Sequence, residues 1–414
     1  MQDILPPKRP KPTPKPAPAA PAAPAIRPAP SMPEPEITIA LKDKPKPKGR
    51  WARMGDWWKG LSRLKKSGFV ALVCLILIVG GAAGYFALFS KSGVGSIAHI
   101  SIAKKPAKPT TVASPLTGLP VAPDLAARPV TGIMIENSDA ARPQSGLQDA
   151  GVVYEAIAEA GITRFLALFQ DASPQYIGPV RSLRPYYIDF AAPFQATIVH
   201  VGGSPDALAE VNNGNYRNLD QFANGAYFTR IDSRDAPHNV YTSFAELDKA
   251  NAAKGWTSSV YTPWPRKADK KLITPTAKTI QMAISGPDFY ANYAYDAKTN
   301  TYMRSEAGAP HMELVSPTDT TGVQIHPKVV IAVVMPLSNG QLDSSGAYYS
   351  DYTTTGSGTA YVFQDGGVTV GQWTKTDTFG QITFTDSTGK SIKFNAGQTW
   401  ISLVSSPGQV TYSP

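Results

Sequence analysis

Apolar positions fall into three regimes along the chain. Residues 68–89, GFVALVCLILIVGGAAGYFALF, form an unbroken apolar run with no Asp, Glu, Lys or Arg. As a helix, its 22 residues would extend about 33 Å, enough to cross a hydrocarbon core of roughly 30 Å. Between residues 129 and 255, short apolar runs alternate with amphipathic stretches. Val130–Glu136, Thr163–Phe169 and Ala196–Val201 have strand length and composition. Ala150–Glu159 fits a helix or a buried strand equally. Ser204-Pro205-Asp206 opens a helix with a capping hydroxyl, a proline at the first helical position and a carboxylate at the positive end. Thr242-Ser243 opens a second, FAELDKANAAKG, which Gly255 ends. Beyond residue 276 the period becomes two. Aromatics alternate over Phe289–Met303, and VVIAVVM is an apolar strand. TAYVFQ, VTVGQW, ITFTD, SIKFN and TWISLV follow between turns, with Asp365-Gly366 marking a tight hairpin.

These patterns predict an α+β chain with five segments. Residues 1–66 are a disordered Pro/Lys-rich tail, 67–90 a transmembrane helix and 91–113 a linker. Residues 114–265 form an α/β domain and 276–414 a mainly antiparallel β domain. The polar stretch WPRKADKKLITP (Trp264–Pro275) separates the last two. Proline at the density of residues 1–50 favours extended polyproline II and no packed core. That tail is a solvated spacer, a ligand for a proline-recognising partner, or a basic segment held to anionic lipid. GRWARMGDWWKGLSRLKK has the alternation of an interfacial amphipathic helix leading into the span.

Charge sharpens the division. The chain carries +9, but residues 1–66 hold 15 Lys/Arg against 5 Asp/Glu, and the 25 and 26 in the remainder nearly cancel. The basic side flanks the start of the span, so the tail is expected in the cytoplasm and the bulk outside. A near-neutral folded region also argues against a nucleic-acid partner. The single cysteine, Cys74, excludes an internal disulfide and a cysteine-ligated zinc site. Val73 before it and LILIVGG after it do not suit lipid attachment, and 66 residues before the apolar run exceed a signal peptide. Gly80 and Gly84 form one GxxxG, which permits a weak homodimer.

Three clusters carry candidate chemistry. In IGPVRSLRPYYIDFA, Arg181 and Arg184 would share a helical face. They would hold an anion between them or pair with Glu136, Glu155, Glu159 or Asp189. In HVGGSP, a strand, Gly202, Gly203 and Ser204 at a helix start can cradle an anion or simply make a tight turn. His200 there is expected to be a satisfied core histidine. In RDAPHNVYTS, His238 lies in a loop beside Asn239, Asp232 and Asp235, able to serve as acid or base or to fix the loop. His311 and Glu313, two apart, do not make a metal site. No nucleophile elbow, Walker loop, HExxH or kinase set is present, and no cofactor is implied.

Several segments together resemble the YerB-like (DUF3048) family of bacterial envelope proteins. They are RPVTGIMIENSDAARPQSGLQDAGVVYEAIAEAGITRFLALF, IGPVRSLRPYYIDFA, VHVGGSP, RDAPHNVYTS, GSGTAYVFQDGGVTVGQW and AGQTWISLV, spread over residues 114–404. The resemblance implies an extracytoplasmic α/β-plus-β architecture and no established activity. Members are typically lipoproteins; this chain is similar to them with a membrane helix substituted. Where the family usually has His-x-Asp, this chain has His311-Met-Glu313.

Two functions follow as expectations. The first is a tethered module binding an anionic ligand or cell-wall polymer through Arg142, Arg181, Arg184, Arg234 and His238, with Glu155 and Glu159 orienting the guanidiniums. The second is an envelope glycan hydrolase or transferase moving protons between Glu155 or Glu159 and His238. A scaffold whose polar residues only hold the fold is the remaining alternative.

Overall fold

The computed structural model describes Ser62, residues 110–342 and residues 348–414. The tail, the apolar run 68–89, Cys74 and the Gly80/Gly84 pair lie outside the described residues. Among the described residues no helix is long and apolar enough to cross a membrane.

The described region is mostly β with few helices. Its first half contributes β1 (Thr131–Glu136), β2 (Val152–Glu159), β3 (Ile162–Phe169), α1 (Pro185–Ala191), β4 (Thr197–His200), α2 (Pro205–Asn213), β5 (Arg217–Asp220) and α3 (Phe244–Ala253). The second half contributes β6 (Thr279–Ala283), β7 (Tyr290–Asp296), β8 (Thr301–Glu306), β9 (Val329–Val334), β10 (Leu337–Leu342), β11 (Tyr348–Tyr352), β12 (Gly356–Gln364), β13 (Gly367–Lys375), β14 (Thr383–Asp386), β15 (Thr399–Val404) and β16 (Val410–Ser413). The capping residues act as their chemistry predicts. The Ser204 hydroxyl accepts from the Ala207 amide and the Ser243 hydroxyl from the Glu246 amide. Asp365 and Gly366, at φ +59° and +78°, turn the β12–β13 hairpin.

The ambiguous stretch 150–159 is a strand. Every β2 residue except the last is buried, because the strand is covered on both faces. That double burial removes the alternation that would have separated strand from helix.

One ten-stranded sheet, ordered β14-β13-β12-β9-β15-β2-β3-β1-β4-β5, runs through the molecule. Five of its strands precede residue 265 and five follow residue 276. β15 lies parallel between β9 and β2 and joins the halves: Trp400 pairs with Val330 on one side and Val153 on the other. The linker Trp264–Pro275 therefore divides the sequence without dividing the sheet. A second, antiparallel sheet orders β8-β7-β6-β16, with Ala309–Pro310 on the β8 edge.

Alternation along β2 separates the layers. Tyr154 stacks on Phe190 of α1 with ring centroids 4.6 Å apart. The next residue, Glu155, points the other way and meets Arg304 of β8. Helices thus cover one face of the central strands and the second sheet covers the other. α1 is seated by two buried phenols: Tyr186 donates to the Ile157 carbonyl and Tyr187 to those of Ala156 and Arg164.

Candidate functional site

The segment Ile177–Arg184 is extended rather than helical. Its backbone is tied to both neighbouring strand ends: Arg181 donates to the Met134 carbonyl and accepts from the Val201 amide. The helix begins only at Pro185, which disfavours the α-conformation at Arg184. Arg181 and Arg184 consequently do not share a helical face, and each pairs with its own carboxylate.

Glu136 ends β1 and is buried. Its two oxygens lie 3.0 Å from His238 Nδ1, Arg181 Nε is 3.3 Å from Oε1, and the Ser138 hydroxyl donates to Oε1 at 2.9 Å. Nδ1 therefore carries its proton toward the carboxylate, and Nε2 is the ring nitrogen turned away from it. His238 and Arg181 are each about a quarter exposed, at 24% and 23%. A hollow of about 530 Å³ opens beside His238, lined by Ala140, Asp232–Ala236 and His238 itself. Arg234 fixes its wall by donating to the carbonyls of Ala140 and Pro143, at 2.7 and 2.6 Å. Asn239 serves the same loop, accepting from Arg230 and donating to the Ile231 carbonyl.

Glu159 takes Arg164 at 2.5 Å and Arg184 at 2.9 Å. Burial alone would raise its proton affinity; the two guanidiniums reverse this and hold the carboxyl below its ordinary value. Glu155 is wholly buried. It accepts from Arg304 Nη2 at 2.8 Å, and from Trp400 Nε1 and Ser402 Oγ at 2.9 Å each. Neither Glu155 nor Glu159 faces His238, so the expected pairing of those carboxylates with the histidine for proton transfer does not form. The carboxylate at His238 is Glu136.

The glycine turn is not an open anion cradle. The Gly202 amide donates to Asp220 and the Ser204 amide to the Leu183 carbonyl. A Cβ on Gly203 would sit 3.0 Å from that same carbonyl oxygen. Gly203 is thus needed for close approach of the 177–184 segment, and the turn's N–H groups serve the fold. His200 is buried, with Nδ1 2.8 Å from the Gly202 carbonyl and Nε2 2.8 Å from Asn218.

A second constellation lies where the two halves meet. The inward face of β8 carries Tyr302, Arg304 and Glu306. Arg304 donates through Nε to His311 Nδ1 at 2.8 Å and through Nη1 to Tyr293 at 3.0 Å. His311 Nε2 is 2.9 Å from Gln144 Oε1. Gln144 donates to Asn137 Oδ1, and Asn137 donates to Thr163 and to Glu306 Oε1, each at 2.7 Å. Arg142 closes the chain, donating to Asn137 and Asp139 with Glu306 3.4 Å away, and stacks over Phe289. A pocket of about 400 Å³ opens here, lined by Arg142, Pro143, residues 306–307, 309–312 and 314, and Thr320–Thr321. Burial, only partly offset by Arg304, pushes the Glu306 carboxyl up to about 7. Burial and the nearby Arg304 and Arg142 hold His311 well below its ordinary value.

Arg304, Glu306, Gln144 and Asn137 escape the sequence reading. Their signal is faint but present: in Thr301–Glu306 the charged residues occupy the same parity as Tyr302, where a half-buried strand places its core residues. Glu313, grouped with His311 by spacing, instead accepts from the Gln148 amide and is pushed by burial to about 7. Among the described residues no three His, Cys, Asp or Glu are placed to hold a metal ion.

Comparison with known proteins agrees with this architecture. The family model described as "Protein of unknown function (DUF3048) N-terminal domain" matches residues 116–257, and its C-terminal counterpart matches 280–401. The chain is 32% identical over 314 residues to "Putative lipoprotein YerB" of Bacillus subtilis (strain 168), covering 74% of this chain and 91% of that protein. The crystal structure of YerB from Bacillus subtilis superposes with a TM-score of 0.64 at 30% identity, covering 73% of this chain and all of that one. A shared two-part sequence and a shared fold place the chain in the DUF3048, YerB-like family.

Proposed function

We propose that the folded region is an extracytoplasmic binding module for an anionic ligand of the cell envelope, with Arg181 and His238 as its recognition pair. One observation carries this reading: a single buried carboxylate, Glu136, gathers Arg181 and His238 and leaves His238 Nε2 directed away, beside an open hollow. Arg181 presents its guanidinium to an anion at this face, where Arg234 stands beside Asp232 and Asp235 in the wall of the hollow. Arg184, tied to Glu159, contributes field rather than contact, and Arg234 holds the loop that bears His238. The apolar run 68–89 supplies the tether in this proposal, with the basic tail on the cytoplasmic side. The relative's lipoprotein name supports the same location by a different anchor.

The test is affinity of the full-length protein for poly(glycerol phosphate) and for muropeptides at 50 and 300 mM salt. The expected result is binding that weakens at high salt and falls about tenfold in Arg181→Ala, as loss of a charge-assisted contact requires. Binding that is absent, or identical in Arg181→Ala and insensitive to salt, overturns the proposal.

A further inference from the structure

Hydrogen bonding around the 400 Å³ pocket is directional. The Arg304 guanidinium only donates, so His311 Nδ1 accepts and its ring proton sits on Nε2, given to Gln144 Oε1. The Gln144 amide donates to Asn137 and to the Glu136 carbonyl, and the Asn137 amide donates to Glu306 Oε1. Each donor along this path meets an acceptor until Glu306, where Oε2 is left. Glu306 is only 4% exposed, and its Oε2 has no hydrogen-bond partner. His311 Nδ1, 3.4 Å from Oε2, already has its lone pair occupied by Arg304. Leaving a buried acceptor without a donor is unfavourable, so the group that fits here is a hydrogen-bond donor.

The surrounding charges bear on that donor. Contacts link two guanidiniums, Arg142 and Arg304, to two buried carboxylates, Glu155 and Glu306, and Arg142 also reaches Asp139, which is 77% exposed. His311 is held neutral by burial beside two arginines, and Glu313, two residues on, accepts from the Gln148 amide. The buried charges balance, so it is the unpartnered Oε2 that calls for a donor, and the proton that Glu306 retains near neutral pH is what a cationic donor would displace. Pro143, Pro310, Met312 and Leu314 make an apolar part of the wall, beside Arg142 and the Thr320 and Thr321 side chains.

We propose that this pocket binds a primary ammonium group borne on a small apolar body, the ammonium donating to Glu306 Oε2 in place of the carboxyl proton. The site is distinct from the His238 face and uses none of its side chains.

The probe is n-hexylammonium, titrated calorimetrically into the full-length protein in buffers of differing ionisation enthalpy, with 1-hexanol as the uncharged control. Saturable binding of the ammonium is expected, at least tenfold tighter than the alcohol. Because the ligand replaces the Glu306 proton, about one proton is released at pH 6 and almost none at pH 8.5. Glu306→Gln should weaken binding at least tenfold and abolish the proton release. Thr320→Trp, an exposed position at the pocket wall, should block binding without touching the buried chain, while Arg181→Ala should leave it unchanged. No saturable binding to the wild type, equal affinity for hexanol, or undiminished proton release in Glu306→Gln overturns the proposal.

Discussion

Arg304 and Glu155 meet at 2.8 Å with both side chains wholly buried, although 149 residues separate them in the chain. The pair connects β8 of the second sheet to β2 of the first. A buried pair is weak evidence of net stabilisation, because desolvation offsets attraction, yet breaking one partner strands the other. Arg304→Met should therefore lower stability by about 3–5 kcal/mol, and adding Glu155→Leu should recover part of it. Denaturant midpoints of the two singles and the double decide this; strictly additive losses would contradict it.

The indole of Trp400 donates to the same carboxylate. Trp400→Phe keeps most of the packing and removes one donor, so a loss of about 1–3 kcal/mol is expected. Substituting another wholly interior ring, Trp373→Phe, removes the donor to the Val334 carbonyl instead and provides the neutral-acceptor comparison. The Trp400 change should cost more because its acceptor is charged.

Glu306 and Glu313 both hold their protons up to about 7, from an ordinary value of 4.5. A raised folded-state value means the folded protein binds more protons than the unfolded chain. Stability from each is full below 4.5 and is lost as pH rises through about 7. His311 works oppositely: its lowered value costs stability only as pH falls below about 6.5. Between pH 6.5 and 8.5 the two carboxyls dominate, each removing about 1 kcal/mol. Glu306→Gln should roughly halve the wild-type slope over that interval, measured by urea denaturation.

Arg234 holds the loop that separates the two pockets through the Ala140 and Pro143 carbonyls. Arg234→Ala should speed hydrogen exchange at the Ala141 and Arg142 amides, which close the short turn on Ser138 and Asp139. Protection in the β2 and β15 amides should be unchanged. Uniform loss of protection would mean that Arg234 supports the whole fold instead.

A fragment ending at residue 275 keeps five strands but lacks β15, leaving the buried edge of β2 unpaired. Expressed alone, it should aggregate; co-expressed with residues 276–414, it should be recovered as a soluble complex. Soluble, monomeric fragment with native-like spectra would refute this.

Local chemistry was legible where the determinant is local. Ser204-Pro205-Asp206, Ser243 and Asp365-Gly366 act through atoms within a few residues, and their elements lie where spacing places them. The candidate arginines were legible as salt-bridge formers, and Arg181 and Arg184 do engage Glu136 and Glu159. What composition could not carry was pairing at a distance. TWISLV is evidently a strand, but nothing in those six residues says that it enters between β2 and β9. Without that insertion Glu155 looks like a free carboxylate on a strand, whereas Trp400, Ser402 and Arg304 consume it. Glu306 was hidden for a related reason: its partners Asn137 and Arg142 belong to the other half of the chain.

The central position of β15 reverses the order of manufacture and need. The ribosome finishes β2 early and β3 pairs with one edge at once, yet the partner of the other edge, β15, arrives some 245 residues later, the separation between Glu155 and Trp400. At roughly 5–20 residues per second, that edge waits on the order of ten to fifty seconds for its neighbour. Throughout that interval the nascent chain presents an apolar, hydrogen-bonding ribbon to anything nearby. The strand order thus leaves that edge of β2 open until the last residues of the sheet have been made.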